Sequence, residues 1–411
     1  MAPEIVGISE SDLTELHKVC STTFGEESTP EKVDDERLIC EYDRMIGVSD
    51  GGQLVASAGA YSFRLTVPGP SSVAAAGVSW VGVLPTHRRR GILRQIMEFQ
   101  LDDVVEREEP VAILTASEAV IYGRFGYGVG AQHVKAAINT RRSAFVGDVD
   151  APGTMRLAWS GDAEAIKTMA EIYDEWRRNR PGALSRHEGW WEIVQRDRPH
   201  HRHGRTPAYY VLHESDEGVA DGYAAYRIKE GEGEGDNEAY VEELVSSDPM
   251  VEAALWRFLL DLDLTKRVVA EAMAVDDPLK WRLADPRALT AVWLEDWLWV
   301  RILDVPAALE GRGYDTSGRL TFEVVDRFRP DGRAEGTFVL DASPDGATCE
   351  RADGAQPDIA LTVEALGTAW MGGASMSTLA AAGRAAGGAD DLRLADQLFA
   401  SRPAPFCNTA F

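Results

Sequence analysis

Residues 73–84, VAAAGVSWVGVL, form a run of small and apolar side chains halted by Pro85. Such a run has no polar face to give to water, so it reads as a strand covered on both sides. The loop THRRRG follows, and then Ile92, Leu93, Ile96, Met97, Leu101, Val104 and Val105 recur at helical spacing. That periodicity predicts a helix of about five turns. Another short apolar run, Val111–Thr115, follows the helix. A buried strand, a helix and a second buried strand constrain the chain to an α/β unit with a parallel pair. The junction also carries a charge conflict. Arg88, Arg89, Arg90 and Arg94 crowd a predicted helix start, although Asp plus Glu total 67 against 42 Lys plus Arg, a net charge of −25. Cations at a helix N-terminus oppose its dipole, and a bound anion such as a pyrophosphate relieves the conflict. Gly91 lets the backbone approach such a ligand.

The remaining elements fall into three stretches. Residues 9–24 read as an amphipathic helix opened by Ser9 and Asp12 in a capping box. A hairpin follows over 46–48 and 54–67 around the turn SDGGQ, then the strand–helix–strand unit, a short helix over 117–122 and a further strand. The first domain is thus expected to span residues 1–143. The second, 144–296, repeats the plan: strand 155–159, helices 162–178 and 190–195, strands 209–213, 222–228 and 239–245, then helix 250–260. Its equivalent loop is SSDP, with Asp248 as N-cap and Pro249 at the first helical position, so an acidic cap stands where the first domain has arginines. The third, 297–411, alternates strands at 320–325, 336–340 and 359–363 with Ala-rich helices at 379–385 and 391–400. The fold class is therefore α/β passing into α+β. Trp190, Trp191, Trp293, Trp297 and Trp299 are expected as core or interdomain anchors, and the end, SRPAPFCNTAF, as packed.

Composition excludes several functions. A surface this acidic repels nucleic acid and anionic membranes and favours cationic small molecules or protein amines. Cys20, Cys40, Cys349 and Cys407 lie far apart with neither C-x-x-C nor zinc spacing, which points to free thiols in a reducing cytoplasm. No leader-like start and no long apolar run is present; residues 290–309 are cut by Glu295, Asp296, Arg301 and Asp304. The cluster HHRH at 200–203 invites a metal, but Arg202 and Arg205 oppose a cation, so no metal is expected.

The second chemical signal is SEAVIYGRFGY, residues 117–127, after the second strand. A tyrosine beside a phosphate loop is a proton donor at neutral pH, since its ordinary pKa of ~10 exceeds the ~8.5 of a thiol. Together the two motifs resemble the GNAT acyltransferases, whose pyrophosphate loop R/Q-x-x-G-x-G/A reads Arg88-Arg89-Arg90-Gly91-Ile92-Leu93 here and departs at its last position. The resemblance is closer to the Eis (enhanced intracellular survival) N-acetyltransferases, whose V-x-V-x-P-T-H-R-R-R-G-[LI]-L-R and S-E-x-x-I-Y-G-R-F-G-Y-G stand nearly unbroken at 81–94 and 117–128. The segment 298–314 looks like that family as well, so the resemblance spans essentially the whole chain.

The resemblance implies tandem GNAT-like domains, the second without a cofactor site, and a C-terminal domain similar to sterol carrier proteins. It implies that acetyl-CoA contacts fall on Val81, Gly82 and Val83, on Arg89, Arg90, Gly91, Ile92, Leu93 and Arg94, and on Ser117 and Glu118. The general acid matches Tyr122, and the general base is the α-carboxylate of the last residue, here Phe411. Trp80 stands where the family places an aromatic lining the amine pocket, core packing being the other reading, and Glu26 where it has an acidic substrate contact. The family forms homohexamers and acetylates cationic amines, among them aminoglycosides and lysine side chains. The expected activity is direct acetyl transfer from acetyl-CoA to such amines, polyamines included. A non-catalytic CoA- or lipid-binding sensor or scaffold is the alternative.

Overall fold

The computed structural model describes residues 3–69 and 71–411. In chain order the first elements are β1 (Glu4–Gly7), α1 (Leu13–Phe24), α2 (Pro30–Glu36), β2 (Ile46–Asp50), β3 (Gln53–Val67), β4 (Ser71–Val83), α3 (Ile92–Glu106), β5 (Val111–Thr115), α4 (Ala119–Tyr122) and β6 (Gly128–Asn139). Next come β7 (Thr154–Trp159), α5 (Ala163–Arg177), α6 (Glu188–Arg196), β8 (Tyr209–Glu214), β9 (Ala220–Lys229), β10 (Asn237–Ser246), α7 (Pro249–Leu260), β11 (Thr265–Ala274), α8 (Leu279–Arg282) and β12 (Leu289–Ile302). The last are α9 (Val305–Glu310), β13 (Gly318–Val325), β14 (Gly336–Ser343), β15 (Gly346–Arg351), β16 (Ile359–Thr362), α10 (Val363–Trp370), α11 (Met376–Ala381), β17 (Ala385–Gly387) and α12 (Ala389–Leu398).

These elements pack into two compact units. One holds the chain up to Ala131, Trp297–Arg402 and Thr409–Phe411; the other holds Gln132–Asp296 and Pro403–Asn408. The divisions fall after Ala131 and after Asp296, so β6 and β12 each begin in one unit and end in the other.

In the first unit the strands run in the order β1-β2-β3-β4-β5-β12. The central strands β3 and β4 are buried along most of their length, as two-sided apolar runs require. Helix α3 buries Ile92, Ile96, Met97, Leu101 and Val104, the residues its periodicity picked out. Before α1, the Ser9 amide donates to Asp12 Oδ2 at 3.0 Å, closing the expected capping box. The same unit contains a second sheet of order β15-β14-β13-β16-β17. The two sheets are tied by Arg301 of β12, which is wholly buried and ion-paired to the equally buried Asp326.

In the second unit the order is β6-β11-β10-β9-β8-β7. Parallel pairing of β10 with β11 ends at Val241–Ala270, although both strands continue. At the start of α7 the Asp248 side chain accepts the Met250 amide at 2.7 Å. The chain's own carboxylate therefore occupies that helix N-terminus, in keeping with the acidic cap.

Three expectations need correction. Trp293 is 63% exposed and is no core residue, whereas Trp299 is buried. The expected strand 359–363 stops at Thr362, whose side chain caps α10 by accepting the Ala365 amide. The uninterrupted apolar text IALTVEALGTAW conceals that change of period. The helix expected over 379–385 is α11, which ends earlier because Gly383 turns the chain at φ +73° into β17.

Candidate active site

The site is built where β4 and β5 separate. They pair in parallel only over Ala75–Gly77 and Val111–Ile113, while β4 runs on to Val83 and β5 to Thr115. Beyond Gly77 the peptide groups on that edge of β4 have no strand partner in β5, which leaves a wedge lined by backbone donors and acceptors. On its other edge β4 stays paired with β3, but the register jumps from Gly59↔Ser79 to Ser57↔Gly82. Trp80 and Val81 thus face the single residue Ala58, a β-bulge in which Trp80 adopts φ 62°. The Ser57 hydroxyl donates to the Trp80 carbonyl at 2.7 Å and pins the distortion. A side chain that is rarely stable at positive φ is held there at a cost of order 1–3 kcal/mol, which marks a functional position.

The wedge leads to the arginine loop. A 3₁₀ turn, Pro85–His87, and the extended Arg88 carry the chain to Gly91, which caps α3 at φ 84°. No side chain caps this 15-residue helix, so its first amides are bare. Arg88, Arg89, Arg90 and Arg94 are exposed around it. Their neighbours divide them: Arg90 lies 3.5 Å from Asp50, Arg94 pairs with Glu98 at 2.8 Å and stacks over the Phe328 ring, and Arg88 reaches the Val83 carbonyl. Arg89, at φ 63°, has no ion-pair partner among the described residues. Bare amides plus a guanidinium without a carboxylate suit a pyrophosphate, and the unpaired β4 edge suits the amide-bearing arm of coenzyme A. Val81, Gly82 and Val83 lie at the end of β4, and Ile92 and Leu93 at the start of α3.

The second motif stands at the end of β5. Ser117 and Glu118 are exposed before α4, and Tyr122 closes that helix, buried with its ring edge-on to Tyr127. Its hydroxyl has no hydrogen-bond partner among the described residues. Burial, with smaller contributions from Glu118 and Cys20, pushes its pKa up to about 12. The phenol is therefore protonated at neutral pH. The C-terminus reaches the same place: the Thr115 hydroxyl donates to a Phe411 terminal oxygen at 3.4 Å, and the Phe411 ring lies 5.1 Å from Phe63. Gly77 makes room for it, since a Cβ there would meet Phe63 at 2.4 Å and Phe411 at 3.2 Å. Thr115 and Phe411, 296 positions apart in sequence, thus meet at the end of β5.

Trp80 is buried, and its indole N–H donates to the Tyr61 hydroxyl at 2.7 Å while His17 packs against its ring. Glu26 is not gathered in: its side chain is 61% exposed and pairs with Lys32 at 3.0 Å. Cys20 lies close to Ser57, and burial raises its thiol to about 12, which removes the thiolate needed of a nucleophile. Sequence reasoning missed α2 and with it Glu36, whose carboxylate accepts from Tyr61. The signal was available as Thr29-Pro30-Glu31, an N-cap followed by proline at the first helical position. No helix among the described residues is long and apolar enough to cross a membrane.

Comparison with known proteins agrees with this geometry. Residues 4–130 and 182–302 each match an acetyltransferase (GNAT) domain family, and residues 305–408 match a sterol carrier protein domain. An uncharacterized N-acetyltransferase of Streptomyces avermitilis is 41% identical over 352 residues, covering 85% of this chain and 84% of its own. The N-acetyltransferase Eis of Mycobacterium tuberculosis is 33% identical over 390 residues, 92% of this chain and 91% of its own. The crystal structure of Eis1 from Mycobacterium abscessus superposes with a TM-score of 0.86 at 31% identity, covering all of both chains.

Proposed function

The chain belongs to the Eis-like GNAT N-acetyltransferases, and on that premise we propose that it transfers acetyl directly from acetyl-CoA to primary amines of cationic substrates: aminoglycosides, polyamines and lysine side chains. One observation carries the reading. A wedge between β4 and β5 has an uncapped helix N-terminus on one side, and at the end of β5 the Thr115 hydroxyl donates to Phe411 a few residues before the buried phenol of Tyr122.

Acetyl-CoA, when bound, supplies an activated thioester. Arg89 and the first amides of α3 hold its pyrophosphate, with Arg90, Arg94, Ser117 and Glu118 along its path. Amides at the open edge of β4 near Val83 polarise the thioester carbonyl. The Phe411 carboxylate takes a proton from the substrate ammonium, which frees the nitrogen lone pair to form the new C–N bond. As the C–S bond breaks, the Tyr122 O–H, as general acid, hydrogen-bonds to the departing sulfur. With the phenol at about 12 and a thiol at ~8.5, full transfer is uphill by roughly 5 kcal/mol even to the free thiolate, so the O–H acts by stabilising the developing thiolate charge, and a proton it passes on is regained from solvent. Trp80 lines the amine pocket, while Glu26, engaged by Lys32, takes no part.

The three domains are read as 1–143, 144–296 and 297–411, the assembly as a homohexamer, and the compartment as the cytoplasm. Tyr122→Phe is the direct test. Turnover, followed by CoA release over a cationic amine panel, is expected to fall about 10²–10⁴-fold, with acetyl-CoA affinity unchanged by calorimetry. Wild-type silence over the whole panel would overturn the proposal.

A further inference from the structure

One half-buried ionisable group near this site has no part in the chemistry above. Glu36 is the last residue of α2 and lies beside the aromatic lining of β3 and β4. The Tyr61 hydroxyl donates to its Oε2 at 3.3 Å, and the same hydroxyl accepts the Trp80 indole N–H at 2.7 Å. His17 closes on Trp80 at 5.6 Å between ring centroids. Two residues along the same face of β3, Phe63 lies 6.2 Å from Tyr61 and 5.1 Å from Phe411. Tyr61, Phe63, Trp80 and His17 are all at least nine-tenths buried. A continuous aromatic wall therefore joins two carboxylates, that of Glu36 and that of the terminus.

Nothing in the chain neutralises Glu36. No cationic side chain pairs with it among the described residues, and its second oxygen has no hydrogen-bond partner there. Asp35, beside it in the chain, repels it. Burial drives its pKa up to about 7, against the pull of the Tyr61 hydrogen bond. An uncompensated carboxylate in such a place destabilises the fold, and a cation supplied from outside removes that penalty. Tyr61 and Trp80, linked to it through the Tyr61 hydroxyl, supply aromatic rings of the kind that favour an organic ammonium.

We propose that Glu36 is a second ammonium subsite, selecting substrates that carry two amines: one is acetylated at Phe411 while the other is held by Glu36 against Tyr61 and Trp80. Tyr61 and Phe63 stand between the two carboxylates, 6.2 Å apart between ring centroids, so two ammonium groups on one flexible aliphatic chain match the pair where a monoamine meets only one. The proposal rests on the acetyl-transfer reading and adds to it the residue that sets substrate class.

The test compares hexamethylenediamine with hexylamine as acetyl acceptors. In Glu36→Gln the KM for the diamine is expected to rise tenfold or more with kcat kept, while both constants for hexylamine stay within a factor of two. Glu36→Asp should restore part of the loss. Hexylamine turnover also reports that the variant is folded. The unmodified enzyme gives an independent readout: between pH 6 and 8 its KM for the diamine should fall by up to about tenfold relative to hexylamine, as a group titrating near 7 ionises. Other groups facing the pocket do not mimic this. Burial lowers His17, away from the window, while Cys20, Cys40 and Tyr61 are pushed far above the range. Equal KM changes for the two amines, or a pH ratio that stays flat, would overturn the subsite and leave acetyl transfer standing. Failure of the wild type to acetylate either amine would remove the acetyl-transfer reading and the subsite with it.

Discussion

Adding a single glycine after Phe411 isolates the role of the terminal carboxylate. The Phe411 ring is seated against Phe63, and the Thr115 hydroxyl donates to an oxygen that would remain a carbonyl in the extended chain. The anchor therefore survives, but the carboxylate moves by one Cα–Cα step, about 3.8 Å, and an amide carbonyl replaces it. An amide accepts no proton at neutral pH. Losing a positioned general base costs about 10²–10⁴ in rate, or roughly 3–5 kcal/mol of barrier. The loss should appear in kcat with a cationic amine, measured by CoA release on protein tagged at the N-terminus. Acetyl-CoA affinity and thermal stability should stay close to the parent, since neither the wedge nor the ring contact is touched. Retention of turnover within threefold of the parent would refute the assignment of the base, whatever the fate of Tyr122.

Other consequences follow from the same geometry. Asp326→Ala leaves Arg301 charged and wholly buried between the two sheets of its unit, so urea unfolding should show a loss of about 3–5 kcal/mol. Gly91→Ala places a Cβ at φ +84°, where space is open but the conformation is disfavoured; a stability loss of ~1 kcal/mol and weaker acetyl-CoA binding are expected by melting and calorimetry. Glu36 titrates near 7 when folded against an ordinary value of 4.5, so the folded chain binds the extra proton and its stability declines as pH rises through that window. Glu36→Gln should abolish this slope and be the more stable protein at pH 8, by up to about 3 kcal/mol, in chemical denaturation at both pH values.

Some of this protein was legible because local chemistry alone forces it. The apolar run before Pro85, the spacing from Ile92 to Val105 and the Asp248-Pro249 start fix element type through rules that act over one or two turns. The arginine loop and the stretch around Tyr122 could likewise be read as parts of one site, because strand, loop and helix order leaves few places for them. Long-range placement lay beyond such rules. That pairing of β4 with β5 stops at Gly77, that Trp80 bulges against Ala58, and that Glu36 meets Tyr61 depend on side chains supplied from distant segments. Trp293 and Trp299 make the point within one strand, where identical residues come out exposed and buried. The sequence by itself determined the elements, the anion-binding junction and the kind of chemistry. Only the tertiary structure decided which distant side chains meet, such as Thr115 with Phe411 and Glu36 with Tyr61, because burial and proximity are set by packing between segments and not by the chain's local text.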